Sequence, residues 1–595
     1  MKPTPTENTV PLRPGDFANL SQALDYAARG VTGCNFYTGK GELSAVVPYE
    51  ELREQAQTLA RRLQSLGLLR GARVALLADT NPDFMRFFFA CQYAGLVPVP
   101  VPASIHLASR SVYVEQLRAL LVKCQASVAV VPPGFLPFLT EAAESLDLRF
   151  IGSPEDFAKL PENMNALRPL RFDELAYLQF TSGSTRFPRG VMITQQAALN
   201  NLSGIIKHGL GVRPSDRCVS WLPFYHDMGL VGFVLGPVAS QLSVDYLSPR
   251  DFAMRPRQWL SLIAKNRATI SFSPTFGYDL CTRRVRQEDA AVLDLSSWRI
   301  AGAGAEMIHH ESLANFAQAL HGTGFDANAF MACYGMAECS LAVSFAPLRE
   351  GLDVDRVDRD HLSERQVARA VLNEGGSEDR SRVSSFVNCG KPLPEYEVQI
   401  RNEQGHELCD RECGTIFLRG PSIMSSYFGD LEATKEVLSS DGWLNTGDIG
   451  YRVKEHLFIT GRIKDLIIIK GRNIWPQDLE YLAEQQPEVR PGDASAFSIL
   501  GEDGEELAVM VVQCGEFNGT EGGSLVDRLQ RMIREELGIN CCIELARPHT
   551  LPRTSSGKLS RSRTRQDFLQ RRDRLSSNES GQASPEAARE CRATG

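Results

Sequence analysis

Basic residues are not in surplus in this chain: 64 Lys and Arg stand against 72 Asp and Glu, a formal net charge of −8. Nucleic-acid-binding proteins carry the opposite imbalance, so that partner class is set aside. Long apolar runs are lacking as well. The best stretch, residues 230–239, holds glycine and proline and stops at Ser240 and Gln241, well short of the roughly 18 residues that a spanning helix needs. No stable membrane insertion is expected. Residues 1–15 are polar and proline-rich without an apolar h-region, so no secretory leader is read and a cytoplasmic location is expected. There is no disulfide framework: the 14 cysteines, Cys34, Cys91, Cys124 and Cys218 among them, are scattered, and a chain this long buries a core without staples. His406, Cys409 and Cys413 cluster but lack the second pair that a structural zinc site would use. No internal repeat is visible.

What is present is an ordinary globular balance, 43% hydrophobic and 23% charged, over 595 residues, enough for several subdomains. Leu52, Ala56, Leu59, Leu63 and Leu66 recur at helical spacing from Tyr49 to Gly67. Residues 74–78 form a short continuous apolar run, as in a strand covered on both faces. Asn81-Pro82 then reads as N-cap and first turn of a second helix carrying Phe84, Phe87, Phe88 and Cys91. Val97–Val101 is the next strand. This alternation predicts an α/β architecture with parallel strands. Residues 350–384 are highly charged and poor in aromatics, which predicts a surface insertion with one short helix. The expected organisation is a flexible arm over 1–20, a large domain over 21–461, a small α+β domain over 462–571 and a disordered tail over 572–595.

The densest run of hydroxyls is Thr181, Ser182, Gly183, Ser184 and Thr185, after the strand-like residues 175–180 and before a helix expected from Thr194. Hydroxyls around one glycine suit phosphate oxygens, because the backbone approaches closely and each hydroxyl or amide donates. No Gly-Lys-Ser/Thr follows, so this is not a Walker A loop. A Thr/Ser/Gly run alone is more often an ordinary loop; the continuation Pro188-Arg189-Gly190-Val191 adds a cation beside it.

With that continuation, TSGSTRFPRG resembles the phosphate loop of adenylate-forming enzymes. That superfamily contains acyl-CoA ligases, luciferases and peptide-synthetase adenylation domains, and the resemblance is nearest to the fatty acyl-AMP ligases. The string departs from the usual TSGSTGxPKG at Arg186 and at Arg189, which keeps the charge with a different geometry. Residues 221–230, WLPFYHDMGL, are similar to a stretch typical of acyl-AMP ligases, which implies that His226, beside Asp227, lies near the substrate carboxylate. Residues 273–278, SPTFGY, resemble the acyl-tunnel segment, with Phe276 on the substrate side and Gly277 leaving room for a chain. Gly304, Ala305 and Glu306 match the adenine-side loop. Tyr334, Gly335, Met336, Ala337 and Glu338 match YGMAE, an aromatic face for adenine followed by an oxygen ligand for Mg²⁺.

Further on, WLNTGD resembles the motif whose aspartate, here Asp448, accepts both ribose hydroxyls. In GRIKD the family implies Arg462 at the ribose and Lys464 at a domain hinge. PRTSSGK resembles the loop that delivers the catalytic lysine, here Lys558. The motifs follow in the family's order from about Tyr49 to Arg565.

The resemblance implies an α/β enzyme with a large N-terminal domain and a small mobile C-terminal domain. It would use ATP and Mg²⁺ to turn a fatty acid into acyl-AMP and pyrophosphate. YHDMGL and the charged insertion favour an acyl-AMP ligase that passes its product to an acyl carrier protein. Only 37 residues follow Lys558, so the carrier is expected to be a separate chain. The alternatives are an acyl-CoA ligase and an inactive acyl- or nucleotide-binding regulator. Residues 561–574 carry six arginines against two aspartates, a candidate steering surface for an acidic carrier.

Overall fold

The computed structural model describes residues 1–103, 110–181, 188–290, 292–371, 383–469, 472–501, 506–515, 519–554 and 559–579. Of the residues singled out above, Ser182, Gly183, Ser184, Thr185, Arg186 and Lys558 lie outside that set.

The large domain is built on a nine-stranded sheet. Its central strands run parallel, in the order Phe330–Gly335, Ile300–Ala303, Ile270–Ser273, Arg217–Ser220, Ser243–Leu247 and Gly33–Tyr37. Five of them, Gly33–Tyr37, Arg217–Ser220, Ser243–Leu247, Ile270–Ser273 and Ile300–Ala303, are buried at every position, as parallel strands covered on both faces must be. A second, wholly parallel sheet orders Val97–Val101, Arg73–Leu77, Ala126–Val130 and Phe150–Gly152. Helices Tyr49–Ser65 and Pro82–Ala94 supply the layer between: one apolar cluster joins Val74 and Leu76 to Phe87 and Phe88, and these to Val219 and Val244. The second helix starts as its sequence dictates. Asn81 Oδ1 accepts the Phe84 N–H at 3.1 Å, and Pro82 fills the first turn.

Beyond Arg462 a separate apolar cluster, including Ile467, Leu479, Met510, Leu529 and Ile533, forms the core of a smaller unit. Its sheet orders Ala494–Leu500, Glu506–Gln513 and Cys541–Ala546. No helix among the described residues is long and apolar enough to cross a membrane.

Three sequence expectations need correction. The arm is not loose: Thr4 is 5% exposed, its N–H donates to Asn35 Oδ1 at 2.9 Å, and Arg217 donates to its carbonyl at 2.7 Å. The insertion is not wholly surface. Val354–Asp358 pairs antiparallel with Val383–Val387, helix Arg359–Arg365 follows the first of these strands, and Val357, Leu362 and Ala368 are buried with Tyr451, Phe458 and Trp475. Its polar residues mask the few apolar ones that do this. The expected tail begins inside a helix, Arg561–Glu579. As for the His/Cys cluster, Cys413 is buried with its thiol 3.6 Å from Thr460 Oγ1, whereas Cys409 is exposed.

Candidate active site

The motif residues converge at the carboxyl ends of the parallel strands, where open α/β sheets bind ligands. Strand Arg217–Ser220 leads into His226, Ile270–Ser273 into Phe276, Ile300–Ala303 into Glu306, and Phe330–Gly335 into Glu338. Hairpin Leu175–Phe180 and Gly190–Thr194 brackets the phosphate-loop sequence, and Thr181 N–H donates to the Arg189 carbonyl at 3.0 Å.

His226 Nδ1 lies 2.6 Å from Asp227 Oδ1. The Met228 N–H points at the same pair, 2.7 Å from Asp227 Oδ1 and 3.3 Å from His226 Nδ1. The shorter contact takes that proton, and the carboxylate then assigns the His226 proton to Nδ1. The Gln179 side-chain amide donates to the Tyr225 carbonyl, which pins this loop to the hairpin.

Glu306 Oε1 accepts the Phe276 N–H at 2.9 Å, tying the adenine-side loop to the helix start at Thr275. Gly277 does not open a tunnel. A Cβ there would strike Ser273 Oγ and come within 2.7 Å of Trp221 Cζ2, so its space is filled by the indole that stacks on Phe252. Gly304 likewise packs on Cys333, behind the lining.

The ribose-motif aspartate is the best-organised group. Asp448 is 4% exposed; Oδ2 accepts the Tyr334 hydroxyl at 2.7 Å and Oδ1 accepts Arg462 Nε at 2.9 Å. Each carboxylate oxygen retains a second lone pair. Asp448 holds Arg462 charged, raising its pKa further, and burial with the Tyr334 carboxylate partner pushes the phenol well above its usual range. Burial, with the Arg462 charge beside it, lowers Lys464.

Glu338 Oε1 accepts the Tyr427 hydroxyl at 2.8 Å, and burial raises its carboxyl pKa. The Arg189 guanidinium lies over the Tyr427 ring at 5.1 Å. No cluster of three or more metal-ligating side chains occurs among the described residues. A cation at Glu338 would therefore complete its shell with phosphate oxygens and water, which is the habit of Mg²⁺. Tyr427 belongs to no motif and stands 89 residues from Glu338, so no local signal announces it.

These groups line one cavity of ≈ 3180 Å³. Thr181, Arg189, His226, Asp227, Glu338, Asp448, Arg462 and Lys464 stand at its polar part, and an apolar branch runs back past Phe233, Phe272 and Ile270. Two π-helical segments, Ile205–Gly209 and Leu230–Leu235, flank that branch, which sequence periodicity did not show.

The AMP-binding enzyme family matches residues 43–428. A putative acyl-CoA synthetase of Caulobacter vibrioides is 44% identical over 95% of this chain and 98% of its own. A medium-chain fatty acid–acyl-carrier-protein ligase of Moorena producens is 33% identical over 93% and 96%. A solved structure from studies of fatty acyl-adenylate ligases of E. coli and L. pneumophila superposes with a TM-score of 0.90 at 47% identity, covering 95% of this chain and 100% of that one. With the motif residues gathered at the strand ends and likeness over nearly the whole length, the chain belongs to the AMP-binding enzyme family as a fatty acyl-AMP ligase.

Proposed function

We propose that the enzyme joins a fatty acid to AMP in this cleft and then hands the acyl group to the phosphopantetheine thiol of a separate acyl carrier protein. In the first step a carboxylate oxygen attacks the α-phosphorus of ATP, the bond to the β-phosphate oxygen breaks and pyrophosphate leaves. In the second the thiol sulfur attacks the acyl carbon, AMP leaves and the thiol proton goes to solvent. The observation that carries the reading is the Asp448 carboxylate, held by Tyr334 and Arg462 in the same cavity that Phe233, Phe272 and Ile270 line with apolar side chains.

In this reading Asp448 spends its remaining lone pairs on the ribose hydroxyls, with Arg462 Nε donating to Oδ1 beside them. Tyr334 and the Ala305 loop flank adenine. Thr181 to Thr185 and Arg189 receive the phosphates, and His226, oriented by Asp227, faces the fatty carboxylate. Lys558 supplies charge at the reacting centre, acting by positioning and electrostatics. Glu338, aimed by Tyr427, would hold Mg²⁺, which neutralises charge on the departing pyrophosphate.

The insertion supports carrier transfer over CoA ligation. Its apolar residues share a cluster with Trp475, and Arg472 lies 3.9 Å from Asp360 and 3.8 Å from Glu364, so it grips the chain just past the hinge. The arginine-rich helix is partly committed elsewhere. Arg561 is spent on Glu480 and Asp465, and Arg571 on Glu544, which leaves a smaller basic surface for a carrier than its sequence suggests.

Pyrophosphate exchange with a panel of fatty acids tests the first step. Exchange dependent on a fatty acid, lost in Lys558→Ala with ATP binding kept, is the expected result. Near-normal exchange in that variant would overturn the role given to Lys558.

A further inference from the structure

The N-terminal segment has no place in the chemistry above, yet besides its bonds to Asn35, Thr32 and Arg217 it returns repeatedly to one short stretch, residues 239–243. Gly15 N–H donates to the Ala239 carbonyl at 3.1 Å. Arg13 N–H donates to Gln241 Oε1 at 2.7 Å, and Gln241 Nε2 returns a bond to the Arg13 carbonyl at 3.1 Å. Asn8 Nδ2 donates to the Gln241 carbonyl at 2.9 Å. Ser243 Oγ sits 2.9 Å from Thr4 Oγ1 and donates to the Pro5 carbonyl at 2.5 Å.

Residues 239–243 alternate in what they face. Ala239, Gln241 and Ser243 carry the bonds to the N-terminal segment, while Ser240 and Leu242 line the cavity. Gln241 has a φ of 52°, a left-handed backbone that L side chains rarely take, held by these bonds. Gln241, Leu242 and Ser240 are each 2% exposed. Cys218, near the start of strand Arg217–Ser220, and Ile270, which begins Ile270–Ser273, line the same end. That end lies at the amino termini of the strands, opposite the active-site loops.

We propose that residues 4–16 act as the outer wall of the floor of the acyl site and so set the longest fatty chain the enzyme takes. The proposal rests on the fatty-acid reading of the apolar branch. Strands Arg217–Ser220 and Ser243–Leu247 are four and five residues long, which puts the floor roughly 15 Å from the mouth at about 3.3 Å per residue. An extended chain advances about 1.2 Å per backbone bond, so roughly a dozen carbons fit. A longer chain must displace Ser240 and Leu242 outward, against the bonds of Asn8, Arg13 and Gly15.

The test measures kcat and KM for fatty-acid-dependent pyrophosphate exchange over a series of straight-chain acids. It compares the full chain, a variant lacking residues 1–16, the double variant Asn8→Ala/Gln241→Ala, and Ser240→Leu. Removing or loosening the segment should lower KM for acids longer than the wild-type limit, by roughly fourfold for each methylene newly accommodated. The kcat for a short acid should stay unchanged. Ser240→Leu should move the limit the other way. If the truncated chain does not fold, the two full-length variants carry the test. A merely structural role would depress all acids alike, so an unchanged order of preference in the folded variants overturns the proposal. A wild-type enzyme that activates no fatty acid overturns the reading beneath it instead.

Discussion

Asp448 and Arg462 are register partners across the antiparallel ladder of strands Leu444–Val453 and His456–Arg462, with Arg462 Nε 2.9 Å from Asp448 Oδ1. The hairpin thus delivers a carboxylate and its counter-charge together, with Arg462 as the last residue of its second strand. Arg462 is half-exposed on its side chain while Asp448 is buried, so the pair reaches from the protein interior into the cleft. Asp448→Asn keeps the shape but gives up the charge that binds Arg462 and, in the proposed reading, the ribose hydroxyls. Hydrogen bonds to a charged group contribute about 1.5–3 kcal/mol, so ATP affinity measured by calorimetry should fall at least tenfold. An unchanged affinity would remove Asp448 from the nucleotide site.

Tyr427→Phe removes the hydroxyl that Glu338 accepts, without disturbing the ring beneath Arg189. Pyrophosphate exchange should then need several-fold more Mg²⁺ for half-maximal rate and recover at saturating Mg²⁺. An identical Mg²⁺ titration curve would mean that Tyr427 does not aim Glu338.

Leu362→Ala hollows the cluster that holds Trp475. Cavity-forming Leu→Ala changes cost about 2–5 kcal/mol, and about 3 kcal/mol against rotation changes a two-state population more than a hundredfold. Acyl-CoA formation should rise in the folded variant while the adenylation rate stays level. A variant that adenylates but gains no CoA activity would show that the insertion does not restrain the small domain.

Glu484 is pushed up from about 4.5 to about 7, first by burial and then by Glu480 and Asp279, against the Gly492 N–H at 2.6 Å and the Arg283 charge. The folded state therefore holds this proton more tightly than the unfolded state. Its stabilising contribution is complete below about 4.5 and lost as pH rises through about 7. Glu484→Gln should flatten the thermal-stability profile over that window, measured as Tm against pH. A parallel profile in the variant would contradict the assignment.

Much of this architecture was readable from local pattern. The Asn81-Pro82 cap and the apolar strand Val97–Val101 each express a rule that acts within a few residues. The order of the motifs supplied the rest of the candidate site. What escaped notice depends on distant partners. Thr4 meets Ser243 across 239 residues, and Tyr427 meets Glu338 across 89. Nothing near Gly277 in sequence says that Trp221 fills the space beside it. Val357 and Leu362 sit among charges, so composition hid a buried cluster that needs only a few apolar side chains.

The central claim is that this enzyme activates a fatty acid as its adenylate and passes the acyl group to a carrier thiol. The most direct measurement is product analysis of one reaction containing a fatty acid, ATP, Mg²⁺, CoA and a phosphopantetheinylated acyl carrier protein. The account predicts acyl-AMP and acylated carrier, with little acyl-CoA. Robust acyl-CoA synthesis, with the carrier left unmodified, would contradict it.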